Sequence, residues 1–372
     1  MRLAMNLLKP GQRVGSTYEV ERFLGEGAFA EVYRVKHRFL GRQAMKLLKA
    51  PGMDISNVEK MLTEAVILSR LGHPNIVRVF NADVIELHGE TYGFFTMEYI
   101  AGGSLEQFWR SFGTRYMPVE TAVEITRQIC RGLAVAHTEK PPIVHRDIKP
   151  QNALVGYEGD GLRVRISDFG LAKSANPLTL LVSARGTLPF KAPEAFKDYQ
   201  GDSCAGDVWA VGVTMYLLLT DRYPFDIPED IGAINPRCFD KTVVLPSRFN
   251  VFVDSKLDNI VLRAVSPDPK GRYQTSVELL RDLEAWNPDP GLAVSTQPSG
   301  QSGRTSKTAL GPHSPADEAA ARSKVKEATR LARETGRLNE AADLLEEALN
   351  KWPGLRPEYE SQVKLWRKGI LM

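Results

Sequence analysis

Gly25 and Gly27 sit in the stretch LGEGAFAEVY at 24–33, between two runs of strand-like alternation. A glycine turn there lets backbone N–H groups approach phosphate oxygens with no side chain in the way, though the same turn also serves an ordinary hairpin. Ala30 stands where a G-x-G-x-x-G pattern would place its third glycine. Lys46 lies inside the apolar strand Gln43–Leu48, and an ammonium buried without a partner is costly. Glu64, at the centre of the next helical stretch, is placed to supply that partner. The pair either steadies its lobe or holds a phosphate. Two further polar motifs follow: HRDIKPQN at 145–152, and DFG at 168–170 directly after the strand Leu162–Ile166.

The elements that must carry these residues come in two kinds. Residues 18–49 read as strands, with apolar and charged residues alternating at Tyr18–Glu21 and Val32–Val35. At 55–71 the period changes, and Val58, Met61, Leu62, Ala65, Leu68 and Leu71 fall on one helical face. His73-Pro74-Asn75 ends that helix, and strands are predicted at 76–87 and 92–99. From Ser104 onward the periodicity predicts helices at 104–112, 118–138, 204–220, 255–265 and 276–286. The expected fold is therefore α+β with two lobes, a small antiparallel-sheet lobe with one helix and a large, mostly helical lobe.

Residues 287–315 are mostly Pro, Gly, Ser and Thr without apolar period, the composition of a flexible linker. Beyond it lies a predicted helical hairpin at 316–350, its apolar faces formed by Ala328, Leu331 and Ala332 and by Ala341, Leu344, Leu345, Ala348 and Leu349. A third helix follows around 357–368. The expected division is an N-terminal extension at 1–11, a main domain at 12–286, the linker, and a helical segment at 316–372.

The glycine turn, Lys46 with Glu64, HRD-x-K-x-x-N, DFG, and APE at 192–194 stand in the order and spacing of the eukaryotic-type (Hanks-type) protein kinases, which this chain resembles over about three quarters of its length. The resemblance implies ATP and two Mg2+ ions. Leu24, Gly25, Glu26, Gly27, Ala28, Phe29, Ala30 and Glu31 would form the loop over the phosphates. Lys46, held by Glu64, would meet the α- and β-phosphates. Met97 would be the gatekeeper, with the backbone of Glu98 and Ile100 bonding the adenine edge. Val32, Ala44 and Leu154 would sandwich the ring, and they serve equally well as core. Asp147 would orient the acceptor hydroxyl and take its proton, Lys149 would stabilise the transferring phosphoryl group, and Asn152 and Asp168 would hold the metals. Lys149, two residues after Asp147, and Gly186-Thr187 before APE match the serine/threonine branch. Arg146 marks the class whose activation loop is ordered by phosphorylation, with Thr179 and Ser183 as the candidate hydroxyls. The opening Pro10–Val14 resembles the bacterial members.

Composition sets the outer bounds. A formal net charge of +3, from 48 Lys and Arg against 45 Asp and Glu, gives no basic surface for nucleic acid. Cys130, Cys204 and Cys238 are widely spaced and include no CxxC pair, so neither a zinc knuckle nor a disulfide framework is expected. The longest apolar run, Val208–Leu219, suits a buried helix rather than a membrane span, and MRLAMNLL lacks the features of a signal peptide. A cytoplasmic, non-membrane protein is expected, with protein substrates and a possible protein partner for the C-terminal helices. Those helices resemble a single tetratricopeptide-type unit, or serve as an amphipathic hairpin docked on the main domain. A pseudokinase scaffold is disfavoured because Lys46, Asp147 and Asp168 are all retained. A small-molecule phosphotransferase is disfavoured because the segment Gly186–Glu194, which positions a peptide, is present.

Overall fold

The computed structural model describes residues 6–27, 30–48, 71–113, 116–159, 161–169, 188–196, 203–228, 236–289, 315–334 and 336–371. The helix expected at 55–71 lies outside them. The described chain divides into two compact units, the first holding residues up to Tyr99 together with Asp168, Phe169 and Leu188, the second Ile100–Ser167 and the described chain from Pro189 onward.

The first unit is built on strands β1 (Arg13–Val14), β2 (Tyr18–Glu26), β3 (Ala30–His37), β4 (Gly41–Leu48), β5 (Val79–Leu87) and β6 (Glu90–Glu98). They form one antiparallel sheet in the order β1-β2-β3-β4-β6-β5. The β5–β6 turn is His88-Gly89, both with positive φ (55° and 82°), the backbone of a two-residue hairpin. That geometry starts β6 at Glu90, two residues before the predicted start.

Opposed residues of an antiparallel pair share a face, so the register sorts the side chains. Tyr33, Val35, Met45, Leu47 and Phe94 fall on one face and form the core with Val14, Tyr18 and Val20. Burying each of these large side chains contributes about 2 kcal/mol. Leu8 belongs to the same core, and the backbone N–H groups of Leu7 and Leu8 donate to Glu31 Oε2 (2.9 Å) and the Tyr33 hydroxyl (3.0 Å). The region expected as an N-terminal extension is thus packed into the sheet around Leu8.

The second unit is helical: α1 (Leu105–Arg110), α2 (Val119–His137), α3 (Cys204–Thr220), α4 (Ser255–Ala264) and α5 (Ser276–Ala285), with a two-stranded ribbon of β7 (Ala153–Glu158) and β8 (Gly161–Ile166). Helix α3 is the apolar run, buried on nearly all sides and capped at its start by Ser203, whose hydroxyl accepts from Gly206 N–H (3.1 Å). At Gly212 an added Cβ would fall 2.8 Å from Ala264 Cβ and 2.9 Å from Val265, so glycine is what lets α3 and α4 come this close. Arg127 of α2 donates to the Leu283 and Trp286 carbonyls at the end of α5, capping that helix with a cation. Arg272, 1% exposed, makes a two-pronged pair with Glu194 (2.8 and 3.1 Å), donates to Ala205 O, and lies 5.0 Å over the Trp209 ring.

Helices α6 (Pro315–Ala332), α7 (Leu338–Lys351) and α8 (Arg356–Arg367) complete this unit. Ala321, Val325, Ala328 and Ala332 of α6 and Ala341, Ala342, Leu345, Ala348 and Leu349 of α7 are buried at helical spacing. Leu344, expected in that stripe, is only half-buried. The helices also pack on the rest of the unit: Tyr157 of β7 donates to Glu360 (2.9 Å), and the Arg356 guanidinium lies 4.7 Å over the Phe108 ring of α1.

Glu346, 2% exposed, bonds Arg367 of α8 (2.8 and 3.0 Å), which also holds Asp343 (2.8 Å). Burial pushes the Glu346 carboxyl up to about 7, against the pull of Arg367 and with the nearby Asp343 adding to the rise. The folded chain therefore holds this proton more tightly than the unfolded one. Its contribution to stability is full below the ordinary carboxylate range and is lost as pH rises through about 7. Thermal melts between about pH 5 and pH 8 should show wild type losing several degrees, with Glu346→Gln flattening the slope. Equal slopes for the two proteins would contradict this account of Glu346.

Candidate active site

In the first unit, the face of the sheet opposite the core carries the candidate nucleotide residues. Gly25 pairs with Val32, Val32 with Lys46, Lys46 with Phe95, and Ala44 with Met97, so one surface displays all of them. Ala44 and Met97 are buried, Val32 is half-buried, and Leu24 is 37% exposed. Gly27 N–H donates to Ala30 O (2.8 Å), closing the turn, and Ala30 begins β3 with its methyl group 2% exposed. Ala30 is thus a packed strand residue. Gly25 and Glu26 lie in β2, ahead of the turn, while Ala28 and Phe29 lie outside the described residues. The Glu31 carboxylate, counted with the loop in the sequence, is occupied inside the sheet by Leu7 N–H and the Tyr33 hydroxyl. That corrects any side-chain role of Glu31 toward a ligand.

Lys46, 8% exposed, meets the carboxylate of Asp168 at 2.7 Å, with its ammonium 6.0 Å over the Phe95 ring. The partner expected from the sequence, Glu64, lies outside the described residues. Asp168 itself adopts a left-handed φ of 63°, a conformation that costs a non-glycine residue about 1 kcal/mol and that Asp tolerates better than most. At the end of β6, Glu98 N–H donates to Arg78 O (2.9 Å).

In the second unit, Ile100 O accepts from Gly103 N–H (3.3 Å), which makes the Ile100 amide its available backbone group. Leu154 is half-buried in β7. The catalytic-loop motif is held by one buried carboxylate. Asp207, 2% exposed in the first turn of α3, accepts the backbone N–H of His145 (2.7 Å) and Arg146 (2.8 Å) and the Nε2–H of His137 (3.0 Å). His145 is fully buried, with Nδ1 accepting from Asp147 N–H (3.2 Å) and Nε2 donating to Ser167 O (2.9 Å). These bonds hold Arg146 at a left-handed φ of 71°.

The result is a fixed Asp147. Asn152 Nδ2 donates to both the Asp147 carbonyl and Oδ2 (2.8 Å each), and the Lys149 ammonium lies 3.0 and 2.9 Å from its two oxygens. A carboxylate so oriented can accept a proton from a hydroxyl, with a cation at its side for developing negative charge. With both its N–H bonds committed to Asp147, Asn152 has its carbonyl oxygen as the donor atom for a cation. That oxygen and the Asp168 carboxylate are hard ligands of the kind Mg2+ takes. Among the described residues no cluster of three His, Cys, Asp or Glu could hold a metal.

Sequence reasoning missed the organising role of Asp207. Its signal was an aspartate opening an otherwise apolar run, where a carboxylate needs several donors to be stable. Thr179 and Ser183 lie outside the described residues.

The family model of the protein kinase domain matches residues 18–364, and this chain belongs to that family. It is 31% identical to the serine/threonine-protein kinase PrkC of Bacillus subtilis, over 74% of this chain and 41% of that protein. It is 30% identical to the serine/threonine-protein kinase PknB of Mycobacterium leprae, over 72% of this chain and 42% of that one. Among solved structures, the kinase domain of Mycobacterium tuberculosis PknI is similar with a TM-score of 0.55 at 26% identity, covering 75% of this chain and 99% of that one. The chain spans about two fifths of the length of the curated relatives it matches.

Proposed function

We propose that this chain is an ATP-dependent serine/threonine protein kinase, transferring the γ-phosphoryl group of ATP to protein Ser and Thr hydroxyls and to its own activation segment. The observation that carries the reading is the fixed Asp147, with Asn152 and Lys149 bonded to it and its loop anchored on Asp207, in a chain of the protein kinase family. The acceptor hydroxyl oxygen forms a bond to the γ-phosphorus as the bond to the β,γ-bridging oxygen breaks. ADP leaves, and the hydroxyl proton passes to Asp147. Lys149 stabilises charge on the transferring group. Asn152 and Asp168 would hold Mg2+, read as two ions, which would supply neutralisation of the phosphate charge.

Lys46 holds the α- and β-phosphates, exchanging part of its pairing with Asp168 for them, and Glu64 steadies it. Gly25 and Gly27 bring backbone close to the phosphates, with Leu24, Val32, Ala44, Met97 and Leu154 around the base. The backbone of Glu98 and the backbone of Ile100 are read as bonding the adenine edge. The serine/threonine choice rests on Lys149 and on the named relatives. The C-terminal helices are read as a tetratricopeptide-like unit able to take a protein partner. The site of action is read as the cytoplasm; among the described residues no helix is long and apolar enough to cross a membrane.

The test is autophosphorylation. After phosphatase treatment and fresh Mg-ATP, mass spectrometry should find phosphate on Thr179 or Ser183, where Arg146 can engage a dianionic phosphate. The double Thr179→Ala, Ser183→Ala variant should lose most of the activation that follows a lag in wild type. Equal activity and equal lag would remove the phosphorylation switch, and absence of phosphate anywhere on wild type would contradict the kinase reading.

A further inference from the structure

The stretch that follows β6, Ile100–Gly103, is held from two sides within the second unit. On one side it is tied to β7, by Val155 N–H donating to Gly103 O (2.8 Å) and by the bridge between Ser104 and Leu154. On the other side stands the end of α7. The Asn350 amide donates to the carbonyls of Gly102 and, at 3.4 Å, of Ala101. Gly102 is squeezed between the two: an added Cβ would lie 2.0 Å from Val155 O and 3.1 Å from Glu346 Oε2. Asn350 is itself fixed, because its Oδ1 accepts from Arg356, whose guanidinium stacks over Phe108.

Ala101 and Gly102 are buried, and a buried carbonyl without a donor is costly. Within the chain described, Asn350 is the side chain that supplies that donor to both carbonyls. The amide of Ile100, one residue earlier, and the side chain of Leu154 across the ladder are the groups given above to adenine. Loss of Asn350 would leave the Gly102 carbonyl unpaired, and the cheapest relief is a shift of this segment toward solvent, which displaces Ile100.

We propose that Asn350 is a positioning residue for the nucleotide: through Ala101 and Gly102 it sets the backbone that meets the adenine, so that the C-terminal helices contribute to ATP affinity without touching ATP. This rests on the assignment of Ile100 and Leu154 to the base. The Asn350 contact is made from α7, whereas the hydrogen bond from the Tyr157 hydroxyl of β7 to Glu360 lies on α8.

The experiment measures Mg-ADP binding to the full chain by calorimetry, alongside steady-state kinetics in ATP. Asn350→Ala should weaken binding by about fivefold, the effect of about one hydrogen bond, and raise KM for ATP to match while kcat stays within about twofold. Asn350→Asp, of the same size but presenting carboxylate oxygens to the carbonyls, should weaken it further. Tyr157→Phe should bind Mg-ADP as wild type does. Wild-type affinity in both Asn350 variants, with the fold retained by circular dichroism, would overturn the proposal. An equal loss in Tyr157→Phe would also overturn it, since general loosening of the helices would then explain the effect. A wild-type chain that binds no Mg-ADP would overturn the adenine assignment itself, and the proposal with it.

Discussion

Asp147→Asn is expected to slow phosphoryl transfer by about a thousandfold while leaving Mg-ATP affinity within about twofold of wild type. An amide cannot take up the hydroxyl proton, and its NH2 group would face the Asn152 NH2 and the Lys149 ammonium, donors that now meet a carboxylate. None of the groups assigned to ATP is altered. The stability of the chain should change little, because Asp147 is partly exposed and its loop is anchored on Asp207 instead. Turnover above a few per cent of wild type, at equal ATP affinity, would take Asp147 out of the mechanism.

Asp207→Ala is expected to be the most damaging single change to the fold of the second unit. It leaves three donors, the buried N–H of His145 and ring N–H of His137 and the partly buried N–H of Arg146, without their acceptor. Each orphaned buried donor costs roughly 1–3 kcal/mol, and partial relaxation brings the expected total to about 4 kcal/mol. The strained φ of Arg146 depends on the same bonds, so Asp147 should lose its orientation wherever the variant remains folded. Urea unfolding should show a lower midpoint at an unchanged slope. A loss below about 1 kcal/mol would mean that the loop is held by something other than Asp207.

These contrasts mark what the sequence could and could not disclose. Helix α3 was readable almost to the residue, since an apolar run ending at Thr220 and opening on Ser203 carries both its burial and its cap. The faces of the sheet were readable in part. Alternation marked Val32–Val35 as strand, but the placement of Val32, Ala44, Lys46 and Met97 on a common face depends on strand register, which no local pattern encodes. The motif residues were legible because their types and spacing are unusual, whereas the loop that carries Asp147 is anchored by Asp207, 60 residues later in the chain. Glu346 was invisible as an interior group: in an amphipathic helix a glutamate reads as solvent-facing, and its contact with Arg367 on α8 is not visible in that pattern. The bond from Asn350 to Gly102 joins residues 248 positions apart and leaves no trace in either neighbourhood.

The most direct measurement is incubation of the purified chain with Mg2+ and ATP labelled at the γ-phosphate, together with a generic protein acceptor, followed by phosphoamino-acid analysis. The account expects label on phosphoserine and phosphothreonine of the acceptor, dependent on Mg2+ and absent in the Asp147→Asn variant. Label confined to phosphotyrosine, or equal labelling by wild type and Asp147→Asn, or none from a folded wild-type chain that binds Mg-ATP, would contradict it.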